Sequence, residues 1–342
     1  MSTVLAEATR GGAVESVHNG VVVVVDVRGK VIAHAGDPEL FAYFRSSAKP
    51  FQAIPVVESG AADRFGFTPA ELALCCASHN AELRHQEQVA VMLAKLGLTE
   101  AALQCGAPLP SDDDEMGKVL AGIRPSSPLQ CDCSGKHTGM LASSLHLGYP
   151  VDTYLEPSHP LQTLIKGILA EVCRVRPDAI VMATDGCSLP TFGASIRAFA
   201  TAYATLAAPE QAPAGAGREH ANALNRLRSA MIAYPENVAG EGEFVTDLMS
   251  LSGGAIAAKS GAEGLLCMAI PSSCLGIAIR VADGSFRAHP VIALSVLEQL
   301  NLVGTSVIAA MQERHNPELR NHNGRIVGAL RPAFQLSAAV AA

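Results

Sequence analysis

The sequence predicts an α+β fold in which one antiparallel sheet is built from both ends of the chain. Strand patterns occur near the N-terminus, where residues 21–25 are five consecutive valines, and return after residue 253. Between these regions the apolar spacing is helical for about two hundred residues. Strands, then helices, then strands favour a sheet with a helical lobe inserted into it.

This arrangement predicts one domain, 1–342, with a sheet lobe at about 14–45 and 253–335 and a helical lobe at about 46–252. Hydrophobic residues make up 49% and charged residues 17%, which excludes a disordered chain. The net charge of −7 argues against nucleic acid as a partner. The longest apolar run is too short to cross a membrane, and the first residues lack a secretion signal, so we expect a cytoplasmic protein.

The strands are predicted at 20–26 and 30–35, joined by a hairpin turn at Arg28 and Gly29, and later at 255–259, 264–270 and 275–281. The helices are predicted at 69–76, 81–96, 135–147, 159–175, 218–233 and 289–302, the last of which closes the predicted elements. Thr68 is a predicted N-cap. Pro50 fits the first turn if the helix after Ser46 starts near Ser47 or Ala48, whereas Pro55 should kink that helix or end its regularity. The tail 337–342 is expected to fray.

The first chemical cluster is Ser46 and Lys49, three residues apart and therefore on one face if the segment is helical. A neutral lysine amine can take the proton of a serine hydroxyl and make it a nucleophile. The ordinary alternative is a serine near a helix start and a solvated lysine. Lys49 begins an apolar run, which favours a buried amine with a lowered pKa.

A second serine, Ser78, ends a buried apolar segment and is followed by His79 and Asn80. Such a polar triplet is often only a helix cap, but it also suits a second hydroxyl or an oxyanion donor. Lys259 lies at the end of a predicted strand beside Ser260 and Gly261. It is either a surface lysine or a lysine that the sheet brings to Ser78.

Thiols form the third cluster. Cys133 and Lys136 lie at the start of a predicted helix. Cys187 follows Asp185 and Gly186, just beyond a strand predicted from the apolar residues 180–183. Nine cysteines, an odd number, do not indicate a disulfide framework. These thiols are either ordinary buried cysteines or ligands of one metal, most naturally zinc. Asp185 is then a candidate for hydrogen bonding to a ligand.

Together these clusters resemble the Rhizobium-type L-asparaginases, the asparaginase II group. The matching segments are 15–16, 18–20, 45–50, 133–141, 185–190, 238–242, 259–264 and 324–334. The resemblance implies a fold like that of serine β-lactamases and glutaminases, and a homodimer. It also implies two Ser–Lys pairs and one zinc site. The pairs are Ser46 with Lys49 and Ser78 with Lys259, and the zinc ligands are Cys133, Lys136 and Cys187, with Asp185 close by.

The expected reaction is hydrolysis of L-asparagine to L-aspartate and ammonia. Ser46 would attack, Ser78 and Lys259 would relay protons, and backbone N–H groups near either serine would stabilise the oxyanion. Sequence leaves the identity of the nucleophile open, and also the role of Cys131. Alternative functions are a glutaminase or other serine amidohydrolase, a zinc hydrolase, and a non-catalytic protein that binds an amino acid or zinc.

Overall fold

The architecture is a mixture of antiparallel sheet and helices. A computed structural model describes residues 1–338. Its strands are β1 (Thr3–Arg10), β2 (Ala13–Asp26), β3 (Val31–Ala35), β4 (Phe41–Tyr43), β5 (Val181–Thr184), β6 (Pro190–Ser195), β7 (Ala257–Gly261), β8 (Leu265–Ile270), β9 (Leu275–Val281), β10 (Glu318–Arg320), β11 (Ile326–Pro332) and β12 (Ser337–Ala338).

Nine of these strands form one sheet in the order β10-β11-β1-β2-β9-β8-β7, with β3 paired to both β2 and β12. Every pairing in it is antiparallel. The join between the two chain ends lies at β2 and β9, where Gly20 pairs with Val281 and Asp26 with Leu275. The predicted fold class, one antiparallel sheet from both chain ends with helices between, is confirmed.

The helices are α1 (Lys49–Gln52), α2 (Ile54–Glu58), α3 (Ala61–Arg64), α4 (Pro69–Cys75), α5 (Leu83–Lys95), α6 (Asp113–Leu120), α7 (Ser134–Leu147), α8 (Pro160–Cys173), α9 (Ile196–Ala207), α10 (Ala221–Ala233), α11 (Pro235–Val238), α12 (Phe244–Leu251), α13 (His289–Gln299), α14 (Thr305–Ala310) and α15 (Gln312–His315). As predicted, Thr68 caps α4, in a reciprocal arrangement with Glu71. Among the described residues, no helix combines the length and apolarity that crossing a membrane requires.

The valine run explains where the core lies. All five side chains at 21–25 have no exposed surface, although successive strand residues point to opposite faces. Helix α9 packs against β2, β8 and β9, and α13 packs against β1, β9 and β11. A strand that is buried on both faces is apolar throughout instead of alternating.

The two prolines after Ser46 act as predicted. The chain there forms a 3-10 turn at Arg45–Ala48, followed by α1 and then α2. Pro50 and Pro55 each lie in the first turn of one of these short helices, where a missing N–H costs nothing. The helix is therefore broken into pieces, and its first turn carries Ser46.

Three predictions about the edges of the sheet are wrong. The sheet begins at Thr3, not near residue 14, and strands follow the helix that was expected to close the fold. In addition, Ser337 and Ala338 are not frayed but pair with His34 and Ala33, while 339–342 lie outside the described residues. The alanines and glutamate of β1 are weak strand formers, so its pairing with β2 on one side and β11 on the other decides its structure.

A small three-stranded sheet has the order β4-β6-β5, and its strands β5 and β6 lie within the predicted helical lobe. It places two site segments side by side, because β4 leads directly into the turn of Ser46 and the β5–β6 hairpin carries Asp185 and Cys187. Only β5 was predicted, from its apolar residues. β4 has only three residues and is specified by its pairing with β6, far along the chain.

Two glycines allow the close approaches that assemble the site. A Cβ atom on Gly261 would lie 2.9 Å from Ser47 Oγ and 3.1 Å from the carbonyl oxygen of Phe44, so β7 can lie against the turn of Ser46 only with glycine there. A Cβ atom on Gly135 would lie 2.3 Å from the Leu74 carbonyl oxygen. Glycine therefore brings the start of α7 against α4, whose end leads to Ser78.

Candidate functional site

Ser78 is held between two lysines. Its Oγ lies 2.8 Å from Nζ of Lys49 and 2.8 Å from Nζ of Lys259. Neither lysine has any exposed surface. Lys49 begins α1, Ser78 follows α4 and Lys259 is on β7, so three separate segments of the chain build this contact. The predicted approach of Lys259 to Ser78 is the arrangement seen here.

The pKa values of the two lysine amines are shifted in opposite directions. Burial, and then the positive charge of Lys49, lower the pKa of Lys259 to about 7. Burial also acts to lower the pKa of Lys49, but Cys133 and Asp132 raise it further than burial lowers it. Lys49 also donates to the carbonyl oxygen of Ala77. The pair can therefore hold one cationic amine and one neutral amine around a single hydroxyl.

The Lys49 amine faces Ser78 and not Ser46. Among the hydrogen bonds of residues 1–338, none joins the side chains of Ser46 and Lys49, and the Ser46 hydroxyl takes part in none. Ser46 is half-buried. Because catalytic hydrogen bonds are often formed only when substrate binds, Ser46 with its free hydroxyl stays a candidate nucleophile.

The loop that carries Ser78 is fixed by its own backbone. The N–H of Ser78 donates to the carbonyl of Val238, that of His79 to Asp132, and that of Asn80 to Ala239. These three N–H groups are therefore already paired. The expectation that backbone donors beside Ser78 stabilise an oxyanion loses those candidates, and the Lys49 ammonium becomes the nearest positive charge.

His79 links this loop to the thiol cluster. Its Nδ1 accepts a hydrogen bond from the N–H of Ala81, so its Nε2 carries the proton and donates to Ser134 Oγ at 2.9 Å. Ser134 in turn donates to the carbonyl oxygen of Leu129. Burial, then the neighbouring His85, keep the pKa of His79 well below its usual value. The neutral ring therefore ties the Ser78 loop to the start of α7.

Non-glycine residues with positive φ flank the site. They include Arg45 at +47°, Ala81 at +70°, Ser188 at +71° and Glu263 at +63°. Arg45 is next to Ser46, and Ala81 follows Ser78 by three residues. Ser188 is next to Cys187, and Glu263 follows Lys259 by four residues. Such conformations cost free energy and persist where surrounding contacts enforce them, as at functional sites.

The predicted thiol cluster is assembled. Lys136 Nζ lies 3.2 Å from Cys187 Sγ, and Cys133, Lys136 and Cys187 are each at most 4% exposed. The neighbouring thiols of Cys131 and Cys187, and then the Lys136 charge, hold the pKa of Cys133 well below its usual value. Burial acts to lower the pKa of Lys136, but Cys133 and Cys187 raise it above its usual value.

Asp185 connects the thiol cluster with the turn of Ser46. Its Oδ1 accepts hydrogen bonds from Arg45 Nε at 2.8 Å and from the N–H of Gly186 at 2.8 Å. Its negative charge also contributes to the raised pKa of Lys136. The carboxylate therefore fixes the loop of Cys187 and faces the cation that neighbours it.

The donor set fits zinc. Two thiols and one amine converge in a buried site, and zinc prefers sulfur and nitrogen ligands in tetrahedral geometry. Ligand atoms of Cys131, Asp132 and Cys133 also lie within 4.8 Å of one another, so Cys131 is a further candidate ligand of the metal. Lys136 must lose its proton to bind a metal, and its raised pKa makes that binding pH-dependent.

A cleft of about 470 Å³ opens beside Ser78. Carboxylates and hydroxyls share its lining with apolar side chains. The lining includes Asp132, Glu243, Ser260, Phe286 and His289. Asp132 is about half exposed (48%), and its carboxylate lies 3.6 Å from Nζ of Lys49. Ser46 does not line this cleft, but the turn that carries it lies against Gly261 of β7, next to the lining residue Ser260.

Sequence reasoning missed Asp132, Glu243, Phe286 and His289. Asp132 could have been found, because it lies between two cysteines of the thiol cluster. The other three carry no local signal, since His289 reads only as the first residue of a helix. They reach the cleft through the packing of α12, α13 and the loop after β9.

Fold and site together define an enzyme-like centre, and comparison with known families identifies its class. The chain belongs to the L-asparaginase II family, whose model matches residues 6–332. The resemblance found in the sequence is confirmed, and the family is one of amidohydrolases. No curated protein matches the chain at a significant level.

Solved structures with some similarity include the protein named Mglu, in its native form in 4.3 M NaCl (14% identity, TM-score 0.44). The alignment covers 83% of this chain and 61% of that one, so this chain spans less than two thirds of Mglu. A β-lactamase from Mycobacterium bovis has 14% identity and a TM-score of 0.39, with 86% and 95% covered. A putative β-lactamase from Bacteroides dorei has 13% identity and a TM-score of 0.41, with 82% and 93% covered. These similarities carry no functional argument.

Proposed function

We propose that the protein hydrolyses L-asparagine to L-aspartate and ammonia at the cleft beside Ser78. The observation that carries the proposal is the contact of one hydroxyl with two buried lysine amines, one of them with a pKa near 7. An amine of that pKa is neutral enough at neutral pH to accept a proton. Membership of the L-asparaginase II family supports amide hydrolysis as the use of this proton acceptor.

The proton path runs from Lys49 through Ser78 to Lys259. The Lys49 ammonium donates to Ser78 Oγ, and the Ser78 hydroxyl can then donate to the neutral Lys259 amine. When Lys49 takes a proton from a nucleophile, it passes one to Ser78, which passes one to Lys259. This arrangement gives a role to both lysines, one as a cation and one as the final base.

Ser46 is the proposed nucleophile and Ser78 the relay. A relay hydroxyl must bridge its partners, as Ser78 does, whereas an attacking oxygen must be free and accessible, as half-buried Ser46 is. Ser46 attacks the side-chain amide carbon, and the positive charge of Lys49 stabilises the developing oxyanion. The relay returns a proton to the leaving ammonia, water hydrolyses the ester, and aspartate leaves.

Zinc is the proposed cofactor, held by Cys133, Lys136 and Cys187. When bound, it would act as a Lewis acid that also orders the surrounding ligands. The chain's own contribution is structural: Asp185 holds Arg45 beside the Ser46 turn, and Ser134 holds His79 beside Ser78. Homodimer assembly and a cytoplasmic location stay predictions from the family resemblance and the N-terminal sequence.

The deciding experiment measures ammonia release from L-asparagine and from L-glutamine, with and without zinc. We expect asparagine to be preferred by about 10–200-fold, the discrimination that one methylene group allows. Equal or greater activity on glutamine would assign the alternative glutaminase function. Silence on both amides, with binding of asparagine retained, would overturn the proposal in favour of a binding protein.

The nucleophile is assigned by two variants and one trapped intermediate. Ser46→Ala should abolish ester formation, whereas Ser78→Ala should slow it without moving its position. Mass spectrometry of the acid-quenched enzyme locates the ester. An ester on Ser78, or near-normal activity in Ser46→Ala, contradicts the assignment. Full activity in both alanine variants would indicate a zinc hydrolase instead.

A further inference from the structure

The cleft beside Ser78 has more apolar surface than asparagine uses. Its volume of about 470 Å³ falls among the pockets of about 300–1,000 Å³ that hold ligands larger than an amino acid. Five apolar side chains line it and are called the apolar wall below: Ala239, Phe244, Val245, Leu266 and Phe286. Asparagine is polar at both ends and has a single methylene group between them, so it leaves this wall without a partner.

Three separate elements contribute the larger side chains of the apolar wall. Leu266 lies on β8, Phe244 and Val245 begin α12, and Phe286 lies in the loop between β9 and α13. Val245 and Leu266 are at most 4% exposed, whereas Phe286 is 52% exposed and packs edge-on against His289, with ring centroids 5.2 Å apart. An aromatic side chain that a neighbour holds in place and that is half exposed in a cleft is suited to packing against an apolar group.

Strand register places the wall close to the reacting groups. Leu266 pairs with Ser260, the neighbour of Lys259 on β7, and both line the cleft. Directly opposed residues of an antiparallel pair share a face of the sheet. Lys259 Nζ in turn lies 2.8 Å from Ser78 Oγ. The wall therefore begins one strand away from the lysine that contacts the relay hydroxyl.

The proposed mechanism determines which part of the substrate faces the wall. Ser46 attacks the amide carbon but does not line the cleft, whereas Ser78, which returns a proton to the leaving nitrogen, does. That nitrogen must come within about 2.6–3.2 Å of Ser78 Oγ to receive the proton, so it lies on the cleft side of the amide. A group attached to that nitrogen extends into the cleft, towards the wall.

We propose that the protein also hydrolyses secondary amides of L-aspartate, in which an apolar alkyl or aryl group on the side-chain nitrogen packs against the apolar wall. This rests on the proposed function for the aspartyl part of the substrate. Ser46 adds to the amide carbon, the carbon–nitrogen bond breaks, and the nitrogen leaves as a primary amine with the proton that Ser78 returns. Water then hydrolyses the ester, so each turnover consumes one water and releases L-aspartate and one amine.

The test compares L-asparagine with the N-methyl and N-benzyl β-amides of L-aspartate, and measures release of L-aspartate, their common product. Methylamine and benzylamine are both alkylamines, so the comparison separates packing from leaving-group chemistry. The KM of the N-benzyl amide should be at least about tenfold below that of the N-methyl amide, because only the benzyl group is large enough to bury apolar surface on the wall.

Variants of Phe286 test the location of this subsite. Phe286→Ala should remove most of the benzyl advantage and leave KM for L-asparagine within about twofold, whereas Phe286→Tyr retains the ring and should keep the advantage. Val91→Ala is the control, because Val91 is also 52% exposed but lies on α5, outside the cleft lining. A benzyl advantage that survives in Phe286→Ala, or an equal loss for L-asparagine, refutes the wall as the subsite.

A further ligand tests the direction of the substrate. In α-N-benzoyl-L-asparagine the ring is attached at the α-nitrogen, and its hydrolysis is followed through release of benzoyl-aspartate. If Phe286→Ala raises KM for this compound but not for the N-benzyl amide, the wall faces the α-nitrogen and the proposal is refuted.

The same assays separate this proposal from the proposed function. L-Aspartate released from L-asparagine, with none from the N-benzyl amide, would refute the further activity alone. L-Aspartate released from the N-benzyl amide, with none from L-asparagine, would support the further activity while the proposed function fails. Silence on both substrates would refute both.

Discussion

Lys259 and Lys136 are both buried lysines at the same junction of sheet and helices, yet their pKa values move in opposite directions. Burial acts to lower the pKa of both. Lys259 has the cation of Lys49 nearby and reaches a pKa of about 7, whereas Lys136 has Cys133 and Cys187 and is raised. The comparison shows that burial, the largest cause at Lys259, makes a lysine a base only where no negatively charged neighbours offset it, as the thiols do at Lys136.

The largest expected effect comes from removing one of the two lysine amines that contact Ser78. Lys259→Met keeps the volume of the side chain but removes the proton acceptor, so kcat should fall about 1000-fold, within the range for loss of a general base. The measurement is ammonia release from L-asparagine. Lys166→Met, at a partly exposed position on α8, is the control and should have normal kcat. A loss of less than tenfold in Lys259→Met would remove Lys259 from the proton path.

The second prediction concerns the cluster of Cys133, Lys136 and Cys187. Cys133→Ser or Cys187→Ser removes one soft ligand, and zinc affinity measured by calorimetry should fall at least about 100-fold. Cys173→Ser changes a buried thiol on α8 that lies outside the cluster and should bind zinc like wild type. Unchanged affinity in both cluster variants would place zinc elsewhere or exclude it as a cofactor.

The third prediction concerns the hydrogen bond between His79 and Ser134, which links the Ser78 loop to the start of α7. Ser134→Ala leaves the Nε2–H of His79 without its acceptor, which should lower the free energy of unfolding by about 1–3 kcal/mol. Urea denaturation measures this change. If the link also couples the clusters, zinc should stimulate activity less in this variant than in wild type. Ser143→Ala, at a buried serine further along α7, controls for loss of a hydroxyl. Equal effects of the two changes would mean that the link has no special role.

The smallest expected effect is a pH dependence of activity, which tests the contrast between Lys259 and Lys136. Lys259 must be neutral to accept a proton, so kcat/KM should fall about tenfold per unit as pH drops below its pKa of about 7, and level off above it. Zinc is also released at low pH, because its ligands must be deprotonated. Bound zinc is therefore measured on the same samples. An acid limb that follows zinc occupancy contradicts the assignment to Lys259.

The sequence by itself determined the α+β order, most of the helix positions, and the segments that carry Ser46, Ser78, Cys133, Cys187 and Lys259. It could do so because apolar periodicity, caps and prolines act over a few residues, and because the family motifs are local. The breaks after Ser46 at Pro50 and Pro55 followed directly from proline chemistry.

Only the tertiary structure decided which side chains meet. It placed Lys49 against Ser78, although Ser46 is nearer to Lys49 in sequence, and it brought His289 into the cleft from the start of α13. It also added β11 to the sheet through pairing with β1, at the other end of the chain. The physical reason is that these contacts, and the pKa values that depend on them, arise between segments far apart in the chain, where a local pattern carries no information.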